Sequence, residues 1–187
     1  MPEIYIIAGC NGAGKTTAAY NLLPDVFKTT EFVNADEIAR GLSPFNPTGV
    51  AFHAGRIMLE RMDELLAENK SFAFETTLSG LTHIKFLNRA KQKGYSIIFF
   101  YIYLNSVLLA KERVAIRVSK GGHNIPDEVI ERRYYKGLKN FFGYIKIADS
   151  WYLYDNSGSD YEPVANKEEG KEKIINFEIY NKLLNGG

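Results

Sequence analysis

Two kinds of apolar pattern alternate along the chain. Short runs of β-forming residues stand at 4–8, 31–34, 71–76, 95–104 and 151–154. Such runs predict strands, and the most apolar of them, YSIIFFYIYL, predicts a central strand buried on both faces. Between the runs, apolar positions recur at helical spacing. Phe52, Ile57, Met58, Met62, Leu65 and Leu66 predict a long helix over 50–69. Further helices are predicted at 17–23 before Pro24, at 81–93 before Gly94, at 106–119 before Gly121 and Gly122, and at 126–146. The last opens on Pro126, with Asp127 and Glu128 in the first turn, where the helix dipole favours acids. A helical turn at 36–40, a proline-containing loop at 41–48, a small extra strand at 162–166 and a closing helix over 171–184 complete the pattern.

Strands that alternate with helices predict an α/β fold with a parallel sheet covered on both sides. A single domain over 1–187 is expected. Ligands in such folds bind beyond the carboxyl ends of the strands. The segments to interrogate are therefore 9–16, 34–36, 75–77, 105 and 155–157.

The first of these carries the clearest chemistry. In AGCNGAGKTT, Gly9, Gly14, Lys15 and Thr16 match the phosphate-loop pattern G-x-x-x-x-G-K-[ST]. A predicted strand precedes it and a predicted helix follows, which is the context the motif demands. Glycines let successive amides curl around an anion, and the helix aims its positive end at the same point. Gly9, Asn11, Gly12, Ala13, Gly14, Lys15, Thr16 and Thr17 are thus expected to hold ATP. Lys15 is expected to reach the β- and γ-phosphates and the Thr16 hydroxyl to ligate Mg²⁺. A glycine turn that served packing alone would have no use for Lys-Thr directly after its last glycine.

Composition narrows the partners. The chain has 187 residues, 45% hydrophobic, enough for one real core. With 23 basic and 22 acidic residues the net charge is +1, without the basic excess of a nucleic-acid binder. One cysteine excludes an internal disulfide and offers no zinc pair. No apolar run approaches the roughly 20 residues that span a bilayer. The chain enters its first strand without a signal peptide. A cytoplasmic protein with neither a nucleic-acid nor a membrane partner is expected.

Several residues admit two readings. Asp36 can take a proton from an acceptor hydroxyl, or it can cap the helical turn that follows. Asn34 reads more simply as turn chemistry. Glu75 and Thr76 end the third strand, where an acid can hold a sugar hydroxyl or a Mg²⁺-bound water. The alternative is a solvated glutamate before a helix capped by Thr77 or Ser79. Arg113, Arg117, Arg132 and Arg133 bracket the Gly121-Gly122 pair, and Arg113 and Arg117 share a helix face. They describe a flap over about 113–135 whose arginines close on the triphosphate, with Arg117 and Arg133 flanking the hinge on the faces expected to point inward. A solvated, salt-bridged helix pair is the competing reading. Asn156 is expected to line the nucleoside pocket, beside a turn at Asp155. His53, His83 and His123 show no metal spacing. Cys10 lies in the phosphate loop, where amide dipoles activate an exposed thiol and packing silences a buried one.

Taken together, AGCNGAGKTT, FVNADEIARGLSP, FETTLSG, RVAIRVSKGGHNIPDEVIERRYYKGLKNF and YDNSG resemble the zeta-toxin-like kinases, which include UDP-N-acetylglucosamine kinases. The segments stand in family order and cover most of the chain. The resemblance implies a three-layer P-loop nucleoside triphosphate hydrolase fold, with a five-stranded parallel sheet in the order 2-3-1-4-5 and a helical lid. It implies ATP- and Mg²⁺-dependent transfer of the γ-phosphate to a hydroxyl of a nucleotide sugar, UDP-N-acetylglucosamine. By the same resemblance Asp36 is the base, Glu75 contacts the acceptor, and Arg117 and Arg133 bind the triphosphate. A kinase for another hydroxyl, on an antibiotic or a nucleic-acid end, and a nucleotide-dependent switch are the competing functions. An antitoxin partner is compatible with the resemblance, but no segment of the sequence implies one.

Overall fold

A computed structural model of the protein describes residues 1–22, 29–122 and 124–185. Strands β1 (Glu3–Gly9) and β4 (Ser96–Tyr103) lie at the middle of the sheet. Ile4, Ile6, Ile7, Ile97 and Phe99 are all buried there, as unbroken apolar runs require when helices cover both faces. On one side follow β3 (Phe72–Thr76) and the short β2 (Phe32–Val33); on the other follows β5 (Ser150–Asp155). All four pairings are parallel, so the order β2-β3-β1-β4-β5 agrees with expectation.

The sheet nevertheless has seven strands, not five. β6 (Glu162–Glu168) runs antiparallel to β5, and β7 (Lys171–Ile174) runs antiparallel to β6. The helix expected over 171–184 shrinks to Phe177–Leu184. The cause is local. Glu169 and Gly170 take φ of 50° and 77°, the pair of positive values that a two-residue hairpin needs. That turn folds the next residues back onto β6 before Asn176 caps the short helix.

Seven helices flank the sheet in the described residues: α1 (Lys15–Leu22), α2 (Ala35–Leu42), α3 (Ala51–Ala67), α4 (Thr82–Gln92), α5 (Val107–Ser119), α6 (Asp127–Ile145) and α7 (Phe177–Leu184). The loop predicted at 41–48 runs into a short 3-10 turn, Pro47–Val50. Ser106 caps α5 through its side chain, and Gly121, at φ 84°, ends it. The predicted stop at Pro24 and the loop residue His123 lie outside the described residues. No helix among the described residues is long and apolar enough to cross a membrane.

Helix α6 ties the fold to the site. Its buried stripe Tyr134, Leu138 and Phe141 packs on the sheet, with Phe141 6.0 Å from Phe99. Its polar side chains reach the loops after the strands. Tyr134 donates to the Leu104 carbonyl at 2.8 Å, Asn140 to Leu78 at 2.7 Å and Tyr144 to Gly80 at 2.8 Å. Buried carbonyls at two strand ends are thereby satisfied and held in place.

Candidate active site

The phosphate loop needs its glycines for two separate reasons. Gly9 takes φ 147°, and a Cβ there would stand 2.4 Å from the Ile102 carbonyl oxygen. Gly14 takes φ 90°, and a Cβ there would meet Tyr161 Oη at 2.7 Å and Asn156 Nδ2 at 2.8 Å. Those two side chains support the loop from behind. Asn156 donates to the Ala13 carbonyl and Tyr161 to the Gly14 carbonyl, each at 2.9 Å. With its carbonyls so engaged, the loop can offer amides to an anion. The nearly buried Asn156 therefore braces the loop, a different task from lining a nucleoside pocket. Tyr161 carried no sequence signal, because it lies far along the chain and inside no motif. Asp155 makes the expected turn, accepting from the Ser157 N–H at 2.9 Å.

Glu75 is the hub of the site. It accepts from the Thr16 hydroxyl at 2.7 Å and from Asn34 Nδ2 at 2.9 Å, and it lies 3.5 Å from Lys15 Nζ. Lys15 also donates to the Cys10 carbonyl at 2.8 Å and is only 6% exposed. The glutamate at the end of β3 thus faces the loop rather than open solvent. Thr76 accepts from the Leu78 N–H at 3.1 Å, and Thr77 bonds to Ser79, so neither Thr77 nor Ser79 caps α4. Thr17 is exposed on α1, one residue beyond Thr16.

The structure separates the two readings of Asp36. The cap of α2 is Asn34, whose Oδ1 accepts from the Asp36 N–H at 2.8 Å and the Glu37 N–H at 3.4 Å. Asp36 is the second helical residue, and its side chain has no capping duty. It lines a cleft of about 540 Å³ together with Glu75, Thr76, His83 and Arg133. Arg133, from α6, donates to Asn11 Oδ1 of the phosphate loop at 3.3 Å. Burial lowers the Arg133 guanidinium's hold on its proton, and the Asp36 carboxylate opposes that shift. Loop, aspartate and arginine therefore meet at one end of the cleft.

The remaining arginines divide. Arg113 and Arg117 share a face, as their spacing predicts, and line a second cleft of about 510 Å³ with Arg40 and Lys120. Arg113 also donates to the Gly158 carbonyl at 3.1 Å, and a Cβ on Gly12 would stand 3.2 Å from Arg113 Cβ. The cationic cleft and the phosphate loop thus adjoin through α5. Arg117 and Arg133 line different clefts. Arg132 is exposed. Arg40, on α2, is the member that sequence spacing did not single out.

Cys10 is buried at 4% exposure, and burial pushes its thiol up to about 11 despite the nearby Lys15. The activated-thiol reading is thereby overturned: desolvation outweighs the local positive field. Iodoacetamide at pH 8 should leave the folded protein unmodified by intact-mass measurement and react once it is unfolded. Rapid labelling of the folded protein would contradict the burial.

Mg²⁺ favours few protein oxygens, several waters and substrate phosphates. Thr16 Oγ1 with Glu75 behind it suits that habit, because the hydroxyl donates its hydrogen bond to Glu75 and leaves its oxygen lone pairs for a cation. Among the described residues no three His, Cys, Asp or Glu side chains form a metal cage.

A family model described as Zeta toxin matches residues 1–149. An uncharacterized protein of Haemophilus influenzae is 32% identical over 127 residues, covering 67% of this chain and 88% of that protein. Among solved structures, the AvrRxo1-ORF1:-ORF2 complex with ATP is similar at a TM-score of 0.81 and 18% identity. That match covers 98% of this chain, which spans only 63% of the matched one. The PezAT chromosomal toxin-antitoxin system of Streptococcus pneumoniae is similar at a TM-score of 0.68 and 15% identity, over 99% of this chain and 84% of that one. At such identities the structural likeness concerns the fold.

Proposed function

The chain belongs to the zeta toxin family of P-loop kinases, and on that premise we propose that it transfers the γ-phosphate of ATP to a hydroxyl of a nucleotide sugar, UDP-N-acetylglucosamine. One observation carries the reading. The cleft lined by Asp36 and Arg133 has a volume of about 540 Å³, room for a nucleotide-sized acceptor, and two of its lining residues reach the phosphate loop: Arg133 bonds to Asn11 and Glu75 to Thr16. A switch without an acceptor has no need of such a cleft.

The chemistry assigns each group a task. The acceptor hydroxyl enters beside Asp36. Its oxygen bonds to the γ-phosphorus, the bond to the bridging oxygen of ADP breaks, and Asp36 takes the proton. Lys15 and Arg133 stabilise the charge that spreads over the transferring group. Arg113 and Arg117 close on the triphosphate from the lid over about 113–135. Thr16 would hold Mg²⁺, whose charge would offset that of the phosphates. The toxin–antitoxin neighbour supports a protein inhibitor as a partner.

The test is ADP formation with and without UDP-N-acetylglucosamine, with products identified by mass spectrometry. Strong stimulation and a sugar nucleotide carrying one added phosphate are expected. ADP formation that ignores this acceptor, with no phosphorylated product, would overturn the reading.

A further inference from the structure

The inner end of the acceptor cleft is accounted for by Asp36, Glu75 and Arg133. Its outer wall is not. Phe52 and Arg56 stand one helical turn apart on α3, and both line the cleft. Phe52 is 90% exposed, a large aromatic ring left in water where packing alone would bury it. Arg56 is exposed too, and among the described residues it has no ion-pair partner. Its neighbours differ: Arg61 pairs with Glu31 at 2.9 Å and with Glu64 at 3.1 Å, and Arg89 pairs with Asp63 at 2.6 Å. His83, which also lines the cleft, has its imidazole pushed down to about 4 by burial and stays neutral near pH 7. Of the two cationic side chains in the cleft lining, Arg133 is engaged with Asn11, and Arg56 is the one left for a ligand.

We propose that Phe52 and Arg56 form the recognition site for the non-reacting part of the acceptor, Arg56 binding its phosphate and Phe52 stacking on its base. The argument rests on the nucleotide-sugar reading above. Charge placement dictates the acceptor's orientation. At the end that holds Asp36 and Glu75 the cations are already engaged, Lys15 with Glu75 and Arg133 with Asn11, whereas the Arg56 guanidinium has no ion-pair partner among the described residues and is left to bind the phosphate. A flat ring one turn away then meets the planar group next to that phosphate. Acceptors with neither group lose both holds, so the pair acts on acceptor specificity and not on the phosphate donor.

Initial-rate kinetics of the intact protein with MgATP test this with three probes: UDP-N-acetylglucosamine, N-acetylglucosamine 1-phosphate and N-acetylglucosamine. Arg56→Ala should raise KM for both phosphorylated probes by about tenfold to a hundredfold, the range for losing a hydrogen bond to a charged group. The kcat should hold, and Arg56→Lys should recover part of the loss. Phe52→Ala should raise KM for UDP-N-acetylglucosamine by about tenfold, as for lost base stacking, and leave the sugar phosphate unaffected. Free N-acetylglucosamine should be the poorest probe. Turnover of UDP-N-acetylglucosamine with unchanged KM in both variants would overturn this assignment and spare the nucleotide-sugar reading. A preference for the sugar phosphate, with only Arg56→Ala impaired, would remove the base site and the nucleotide-sugar reading and keep the phosphate site. Neutral sugar used as well as its phosphorylated forms, or no turnover of either phosphorylated probe, would overturn the proposal.

Discussion

Lys15→Ala is expected to lower turnover by at least about a hundredfold, the scale for losing one electrostatic donor at a transferring group. On the proposed reading, the ammonium is the cation that the glycine loop brings to the transferring phosphate. The same change should also cost stability. The loop is largely buried, and Lys15 is 6% exposed and stands 3.5 Å from Glu75. Without it, Glu75 keeps Thr16 and Asn34 but loses the cation 3.5 Å away. A loss of about 1–3 kcal/mol is expected from that under-compensated carboxylate. The two effects can be separated. Lys15→Ala combined with Glu75→Gln should restore much of the thermal stability and none of the turnover. Near-normal turnover of the purified single variant would remove Lys15 from the reaction.

Asp36→Asn should abolish transfer and spare nearly everything else. A positioned general base contributes about a hundredfold to ten-thousandfold, and Asn cannot take the proton. ATP affinity should hold, because the phosphate loop is untouched. Stability should change by less than about 1 kcal/mol, the worth of an acid in the first turn of a helix. The α2 cap is secure in the variant, since it comes from the Asn34 side chain. Titration of ATP binding and single-turnover transfer on the same preparation make the comparison. Transfer within a fewfold of the parent protein would eliminate Asp36 as the base.

Much of this was legible in the sequence because it is encoded locally. The loop motif, the five parallel strands and their flanking helices follow from short-range patterns: apolar runs, glycine and proline stops, capping residues. Gly9 and Gly14 were legible from the loop motif, although the structure adds a tertiary reason, the close approach of Ile102, Tyr161 and Asn156. The small strand expected at 162–166 became β6, whereas β7 escaped because the turn before it, Glu169-Gly170, lacks the usual Asn-Gly or Asp-Gly signature.

Side-chain roles divided differently. Residue type and position relative to the strands nominated Asp36, Glu75 and the lid arginines. Only the folded chain shows that Asn34 holds the α2 cap, that Glu75 binds both Thr16 and Asn34, and that Arg133 and Arg117 line separate clefts. The fate of Cys10 was also decided by packing, because a thiol's acidity depends on burial, which no local pattern reports. Tyr161 and Asn156 reach the loop across 147 and 143 positions of sequence. Contacts at that range arise when the sheet brings distant strand ends together. Local pattern therefore determined the elements and the loop that binds phosphate. Tertiary structure decided which side chains face one another across it, because facing depends on sheet order and helix placement.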